Sequence, residues 1–92
     1  MKVSIVNVLR NTFKDNKGRE VKYCKFGVLV ELKKDENQVG YTIEQYTTKY
    51  ENYDLIAKVV EEGKPIELKC EFKKALNGLY KAVPVKLGEI DL

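Results

Sequence analysis

Hydrophobic and polar residues alternate along the stretch from Asn16 to Leu32, which reads NKGREVKYCKFGVLVEL. After the turn-forming residues 16–19, apolar side chains recur at every second position: Cys24, Phe26, Val28, Val30 and Leu32. Period two is typical of a β-strand with one face in a core. The opposite face is predicted to carry a ring, a cation and apolar groups: Val21, Tyr23, Lys25, Gly27, Leu29 and Glu31.

Four further segments have strand-like patterns, namely residues 2–9, 39–48, 65–72 and 79–87. In the first, Val3 and Ile5 have one parity and Val6 and Val8 the other, which predicts a bulge or a strongly coiled strand. In the last, Pro84 has no N–H to donate to a ladder, so this strand is expected at a sheet edge or at a break in the pairing. The closing GEIDL is expected to be a short tail.

The periodicity becomes helical after residue 52. Asn52 or Asp54 is the predicted N-cap, and Gly63 is the predicted C-terminal stop. Between them, one helical face is expected to carry Leu55, Ile56, Val59 and Val60.

The connections also carry predictions. Residues 10–20 are expected to form a polar, basic link in which Phe13 anchors the chain to the core, with an exposed stacking ring as the alternative. Residues 46–53 form a tyrosine-rich link before the helix, and it is expected to be either a flap or a packing segment.

The order of elements predicts the fold. Three strands, one helix and two strands are typical of a mainly β, five-stranded OB-fold-like Greek-key barrel with one short α-helix between strands 3 and 4. Residues 1–92 are expected to form a single domain, since the length fits one domain and no more. An unrelated α+β roll with the same order of elements is the alternative.

Composition narrows the class of protein. Of the 92 residues, 43% are hydrophobic and 34% charged, which is typical of a globular chain. There is no apolar run of membrane-spanning length and no signal-peptide pattern, so we expect a cytoplasmic protein without a membrane partner. The formal net charge is only +3, but residues 10–25 carry six cations against two carboxylates. Such a local excess of positive charge is more informative about an anionic partner than the net charge of the whole chain.

Catalytic and cofactor chemistry have little support in the sequence. The chain has no His, the commonest general base, and no phosphate-binding glycine motif. Its two cysteines, Cys24 and Cys70, have the apolar parity of predicted strands and are expected to be small core residues. We therefore expect a non-enzymatic protein with no metal, no cofactor and no small-molecule substrate.

The best candidate binding constellation is Tyr23 with Lys22 and Lys25. Bases stack on aromatic rings while phosphates meet Lys and Arg, so a strand face offering both is suited to single-stranded nucleic acid. A merely solvated amphipathic strand is the competing interpretation. Tyr41, Tyr46 and Tyr50 either stack bases or pack the helix onto the sheet. Tyr80 and the pair Lys73 and Lys74 are either further contacts or a solvated hairpin edge.

Three stretches resemble the single-stranded-DNA-binding proteins of filamentous phages: KVSIV, KGREVKYCKFGVLVEL and ELKCEFKKALNGLYKAVPVKL. The resemblance implies an OB-fold homodimer. It also implies that Lys17 and Arg19 meet phosphates and that Val21 and Tyr23 lie under bases. Leu76 or Asn77, at the tip of the last hairpin, would reach DNA on a neighbouring subunit. Leu29 stands where that family has another aromatic residue.

The resulting hypothesis is a protein that binds single-stranded DNA with little sequence preference, in the replication of a phage or mobile element. DNA is favoured over RNA by the resemblance alone. A structural or protein-interaction module, such as an assembly or adaptor subunit, is the alternative from a different class.

Overall fold

The computed structural model describes residues 1–92, which form six strands, one α-helix and one 3₁₀ turn. The strands are β1 (Lys2–Lys14), β2 (Glu20–Glu31), β3 (Tyr41–Thr48), β4 (Ile66–Lys74), β5 (Tyr80–Leu87) and β6 (Ile90–Asp91). The 3₁₀ turn (Tyr50–Asn52) leads directly into α1 (Tyr53–Glu62). The predicted mainly β architecture, with its helix between the third and fourth strands, is confirmed.

All pairings are antiparallel, and the strands follow the order β3-β2-β1-β4-β5-β6. The predicted number of five strands is wrong, because the expected tail contains β6. Gly88, at a φ of 56°, turns the chain so that Ile90 pairs with Leu87. No ladder joins β3 to β5, so the sheet is open between them.

The first hairpin is longer than the pattern predicted. Residues 10–14 continue β1 instead of forming a loop, and pairing extends to Lys14 opposite Glu20. The predicted bulge is confirmed by a register shift between Ile5 and Asn7. Before the bulge, Lys2 and Val3 pair with β4, so β1 joins both halves of the sheet.

The core lies between the inner face of the sheet and α1. Its buried apolar cluster comprises Val3, Ile5, Phe26, Val28, Ile56, Leu68 and Leu87. The predicted inward parity of β2 is confirmed, since Cys24, Phe26 and Val28 are buried. Ile56 is the buried residue of α1, while Val59 and Val60 pack against the cluster from one turn further on. Leu55, expected on that helix face, is exposed.

Helix α1 has Asn52, one of the two predicted candidates, at its N-cap position and Gly63 at its C-cap position, as predicted. Gly63 adopts the left-handed conformation, with a φ of 67°, and its N–H donates to the Val59 carbonyl. Left-handed backbone is the usual helix stop for glycine. At ten residues, α1 falls short of the length and apolarity that crossing a membrane requires.

The β4–β5 hairpin has the predicted interruption at Pro84. Lys69 pairs with Lys86 but Cys70 pairs with Pro84, so Val85 is an extra residue. This bulge reverses the parity of β5, and Ala82 and Tyr80 therefore share the face of Leu87, whereas uninterrupted alternation would place them on the opposite face. Phe72 shares the parity of Leu68 and Cys70 but is 78% exposed, because the hairpin extends beyond the core.

Candidate nucleic-acid interface

The outer face of β1, β2 and β3 is built from rows of paired residues. Cross-strand partners in an antiparallel sheet point to the same side. Pairing therefore places Phe13 beside Val21, Asn11 beside Tyr23, and Leu9 beside Lys25. We call the surface formed by Leu9, Phe13, Val21, Tyr23 and Lys25 the outer platform.

The outer platform is open to solvent. Phe26 and Val28 point to the other side of β2, and it is there that α1 packs. The 3₁₀ turn and α1 therefore leave the platform uncovered. Phe13 is 51% exposed and does not anchor the chain to the core, contrary to expectation. The outer face of β2 is thus accessible to solvent, and Phe13 from β1 adds a second ring beside Tyr23.

Tyr23 is the centre of the platform. Its ring makes an edge-on contact with Phe13, with centroids 5.9 Å apart. The Lys25 ammonium lies 5.4 Å from the centroid of the Tyr23 ring, within cation–π range. Tyr23 is half-buried and Lys25 is exposed. The arrangement presents ring surface and a positive charge side by side.

The same outer face continues toward the other end of β2. Leu29 pairs with Ile43, and Glu31 pairs with Tyr41. These positions are exposed and mainly apolar. Tyr41 therefore shares the face of Tyr23 but lies at the opposite end of the strand pair. Between them, Gly27 lets the Asn7 side chain lie flat on the sheet, since a Cβ at Gly27 would come within 2.5 Å of Asn7 Oδ1.

The turn of the first hairpin carries Lys17 and Arg19, both exposed. Asp15 organises this turn: its carboxylate accepts hydrogen bonds from the backbone N–H groups of Arg19 and Lys17, each 2.9 Å long, and from Arg19 Nε at 3.1 Å. Hydrogen bonds from the Arg19 backbone, then from Lys17 and the Arg19 side chain, lower the pKa of Asp15 despite some desolvation. Lys17 has no ion pair, whereas Arg19 shares its charge with Asp15.

In the half of the sheet that carries the platform, three predicted site residues lie on the inner side, namely Lys22, Tyr46 and Tyr50. Lys22 points to the side of Cys24, and its ammonium is 5.6 Å from the centroid of Tyr50. Tyr46 packs against the buried ring of Phe26, with centroids 5.8 Å apart. The structure therefore separates Lys22 from Tyr23 and Lys25, with which the sequence grouped it.

The β4–β5 hairpin carries the remaining predicted residues, Lys73, Lys74, Leu76 and Tyr80. Lys74 pairs with Tyr80, while Lys73 pairs with Lys81 on the other face. The tip residue Leu76 is fully exposed, as are large parts of Tyr80 and Phe72. This arm belongs to the other half of the sheet from the outer platform.

A cavity of about 660 Å³ lies between the unpaired edges of β3 and β5. Residues 44–47 line one side and residues 81–84 the other. The Tyr46 hydroxyl donates a 2.6 Å hydrogen bond to the Glu44 carboxylate. That bond, with desolvation and the negative charge of Glu44, raises the pKa of Tyr46 to about 12.

Sequence reasoning missed two residues near the first hairpin. The Arg10 guanidinium carbon lies 4.3 Å from the centroid of Tyr53 and 5.5 Å from that of Tyr50. Arg10 was expected in a loop, and Tyr53 was considered only as part of the tyrosine-rich link. Extending the period-two pattern of β1 to residue 14 would have placed Arg10 on the side of Lys22 and Phe13 on the side of Tyr23.

The cysteines are free. Cys24 is buried and Cys70 is half-buried. Burial raises the pKa of the Cys24 thiol, and the positive charge of Arg10 opposes this shift. No group of three or more His, Cys, Asp or Glu side chains is arranged to hold a metal ion.

Comparison with protein-family models, curated protein sequences and solved structures found no match to this chain.

Proposed function

We propose that this protein binds single-stranded DNA with little sequence preference and that the outer platform is its base-stacking surface. The observation that carries the proposal is the contact of the half-buried Tyr23 ring with exposed Phe13 and Lys25 on an uncovered sheet face. Base–aromatic stacking tolerates any sequence because every base has a π-face. Lys17 and Arg19, in the turn of the same hairpin, supply positive charge for the phosphates.

The biological setting belongs to the same proposal. The three stretches that resemble phage single-stranded-DNA-binding proteins support a role in the replication of phage or mobile-element DNA. Tyr23, Lys17 and Arg19 lie on the second of these stretches, and Phe13 lies four residues before it. DNA as the preferred nucleic acid rests on this resemblance.

We also propose that the sheet is a partly open OB-like barrel. The strand order β3-β2-β1-β4-β5 brings β3 and β5 toward each other when the sheet curls around α1. Both strands line one cavity, as the two edges of an incompletely closed barrel would. OB-folds are five-stranded barrels that are often partly open. In this proposal β6 is an addition to the end of β5.

Replacing Tyr23 by Ala tests the platform. We expect binding of a fluorescent oligo-dT to weaken by about 1–3 kcal/mol, because one stacking ring is lost. Tyr23→Phe keeps the ring and is the matched control, so its affinity should stay close to that of the wild type. Circular dichroism should show that both variants keep the β-sheet.

The salt dependence of the wild type tests the role of the cations. Log affinity should fall with log salt concentration at a slope of about 0.7 per phosphate contacted. If Tyr23→Ala binds oligo-dT as tightly as the wild type does, the outer platform is not part of the DNA interface.

A protein-interaction module is the second candidate function. The specific observation in its favour is the apolar part of the same sheet face, where the paired residues Leu29 and Ile43 and the neighbouring Tyr41 are all exposed. Contiguous exposed apolar surface is typical of protein interfaces. Absence of oligo-dT binding at micromolar protein in low salt would exclude the first proposal and favour this one.

A further inference from the structure

A second cluster of cations and rings lies on the inner side of the first hairpin, opposite the outer platform. Arg10 and Lys22 both lie over tyrosine rings: Arg10 over Tyr53 at 4.3 Å and Tyr50 at 5.5 Å, and Lys22 over Tyr50 at 5.6 Å. We call Arg10, Lys22, Tyr50 and Tyr53 the Arg10 cage. Strands β1 and β2 supply its cations, while the 3₁₀ turn and the first residue of α1 supply its rings.

The hydrogen-bonding capacity of Arg10 is unused within the protein. Its guanidinium forms no ion pair and donates no hydrogen bond, and the residue is exposed. The carboxylates of the neighbouring turn and helix start, Glu51 and Asp54, do not pair with it. Glu20 lies 3.6 Å from Lys22 Nζ, an exposed contact that is worth little.

Stacking prepares Arg10 for an anionic ligand. A guanidinium lying against rings keeps the N–H donors around its edge free, and their fork matches two oxygens of a phosphate. Holding the side chain in place beforehand also reduces the conformational entropy lost on binding. A mobile surface arginine offers the same donors but would lose more conformational entropy on binding.

The rings of the cage are fixed by contacts deeper in the molecule. The Asn52 amide donates to Thr48 Oγ1 at 2.9 Å and to the Asp91 carbonyl at 2.7 Å. Asn52 lies between Tyr50 and Tyr53 in the sequence, and its side chain is buried. These bonds hold the 3₁₀ turn against the end of β3 and against β6, so the two rings are presented from a fixed support.

A nucleic-acid strand has access to both faces of this hairpin. β1 pairs with β4 only at Lys2 and Val3, and β2 pairs with β3 only from Cys24 onward. Residues 10–23 therefore have no neighbouring strand on either outer edge. A bound strand is free to cross an edge from the platform to the cage.

We propose that the Arg10 cage binds a phosphodiester group of the bound single strand, with Arg10 as the fork donor and Lys22 as a second charge. The inference rests on the proposed function and extends it. The bases stack on the outer platform, and the backbone is gripped on the opposite side of the hairpin.

Substitutions at position 10 test the proposal through the salt dependence of oligo-dT binding. Arg10→Gln should lower the slope by about 0.7, the contribution of one phosphate on a single strand. Its affinity at low salt should fall about tenfold, as expected for loss of a charge-assisted hydrogen bond. Arg10→Lys keeps the charge but loses the fork, so its affinity should fall while its slope stays near that of the wild type.

Lys34→Gln is the matched control, because it removes one exposed cation from the loop between β2 and β3, where it has no ion pair. It should change neither slope nor affinity appreciably. Tyr53→Leu removes one ring and keeps Arg10, so we expect weaker binding with an unchanged slope. Urea unfolding of each variant should separate loss of binding from loss of fold.

A direct probe of the wild type completes the test. The Arg10 Nε–H resonance should shift on addition of oligo-dT and also on addition of inorganic pyrophosphate. Two results together would overturn the cage: Arg10→Gln binds oligo-dT like Lys34→Gln, and the Arg10 Nε–H resonance of the wild type does not shift. DNA binding by the wild type would still leave the proposed function standing. Conversely, if the protein does not bind DNA but pyrophosphate shifts the Arg10 resonance, the DNA proposal is excluded and the anion site is retained.

Discussion

Tyr46 shows how much the role of a single residue depends on its surroundings. Its place in a tyrosine-rich stretch left stacking and packing as alternatives, and the contact with Phe26 supports packing. Its hydroxyl donates to Glu44 beside the cavity between β3 and β5. Ionising this hydroxyl would place a second negative charge next to the carboxylate. The pKa of Tyr46 is accordingly raised to about 12.

We expect this shift to be measurable in an alkaline titration. A free tyrosine ionises near pH 10, so the raised pKa means that the folded state holds the proton more tightly than the unfolded state. The resulting stabilisation is complete below pH 10 and is lost as the pH rises toward 12. The ultraviolet difference spectrum between the wild type and Tyr46→Phe should isolate this ionisation.

Glu44→Gln is the control for the cause of the shift. It removes the carboxylate but keeps a hydrogen-bond acceptor, so the pKa of Tyr46 should fall toward its ordinary value. Circular dichroism recorded at each pH confirms that the sheet is still folded. An ionisation of Tyr46 near pH 10 in the folded wild type would contradict the hydrogen bond to Glu44.

The 3₁₀ turn and α1 show how one side chain connects elements that are distant in the chain. Asn52 is at the predicted N-cap position, but its side chain does not cap the helix. Its amide instead joins the end of β3 to β6 through Thr48 and Asp91. A polar group buried in this way is tolerated because its hydrogen bonds are satisfied.

Asn52→Ala should therefore lower the free energy of unfolding by about 1–3 kcal/mol, since it leaves the buried Thr48 hydroxyl and the Asp91 carbonyl without this hydrogen-bond donor. Urea denaturation followed by circular dichroism measures this. Asn37→Ala is the matched control, because Asn37 is exposed in the β2–β3 loop and its side chain makes no hydrogen bond. Equal unfolding midpoints for the two variants would show that the Asn52 bridge contributes nothing.

The molecule as a whole has a thin core and an extended shape. Only 11 of its 92 residues are buried. The radius of gyration is 15.1 Å, whereas about 12 Å is typical of a compact domain of this length. The two hairpins account for the difference, and the β4–β5 arm exposes Phe72, Leu76, Leu79 and Tyr80. This exposure supports the proposal, first made from the family resemblance, that the protein is a homodimer.

Sedimentation tests the dimer. At micromolar concentration we expect twice the chain mass of 10.6 kDa. Phe72→Lys should shift the equilibrium toward monomer, because a charge would be buried at an apolar contact. Val39→Lys, at an equally exposed apolar position in the β2–β3 loop, should remain dimeric. A wild type that sediments as a monomer at all concentrations would exclude dimerisation.

Local patterns allowed much of this structure to be predicted. Alternation in β2 identified its buried face, the parity change at Val6 identified the bulge of β1, and Pro84 identified the break in β5. Asn52 and Gly63 marked the ends of α1. Each of these features depends on the conformational preferences of a few neighbouring residues, and such preferences can be recognised in the sequence.

The composition of the candidate site depended instead on long-range pairing. The length of the first hairpin brought Phe13 into contact with Tyr23. The position of Lys22 needed no such pairing, because neighbouring residues of a strand point to opposite faces and the alternation of β2 already placed it on the side of Cys24. Packing of the 3₁₀ turn brought Tyr50 and Tyr53 against Arg10, some 40 residues earlier in the chain. The alternating pattern shows that a strand has two faces, but register and packing determine which side chains from distant segments meet on each one.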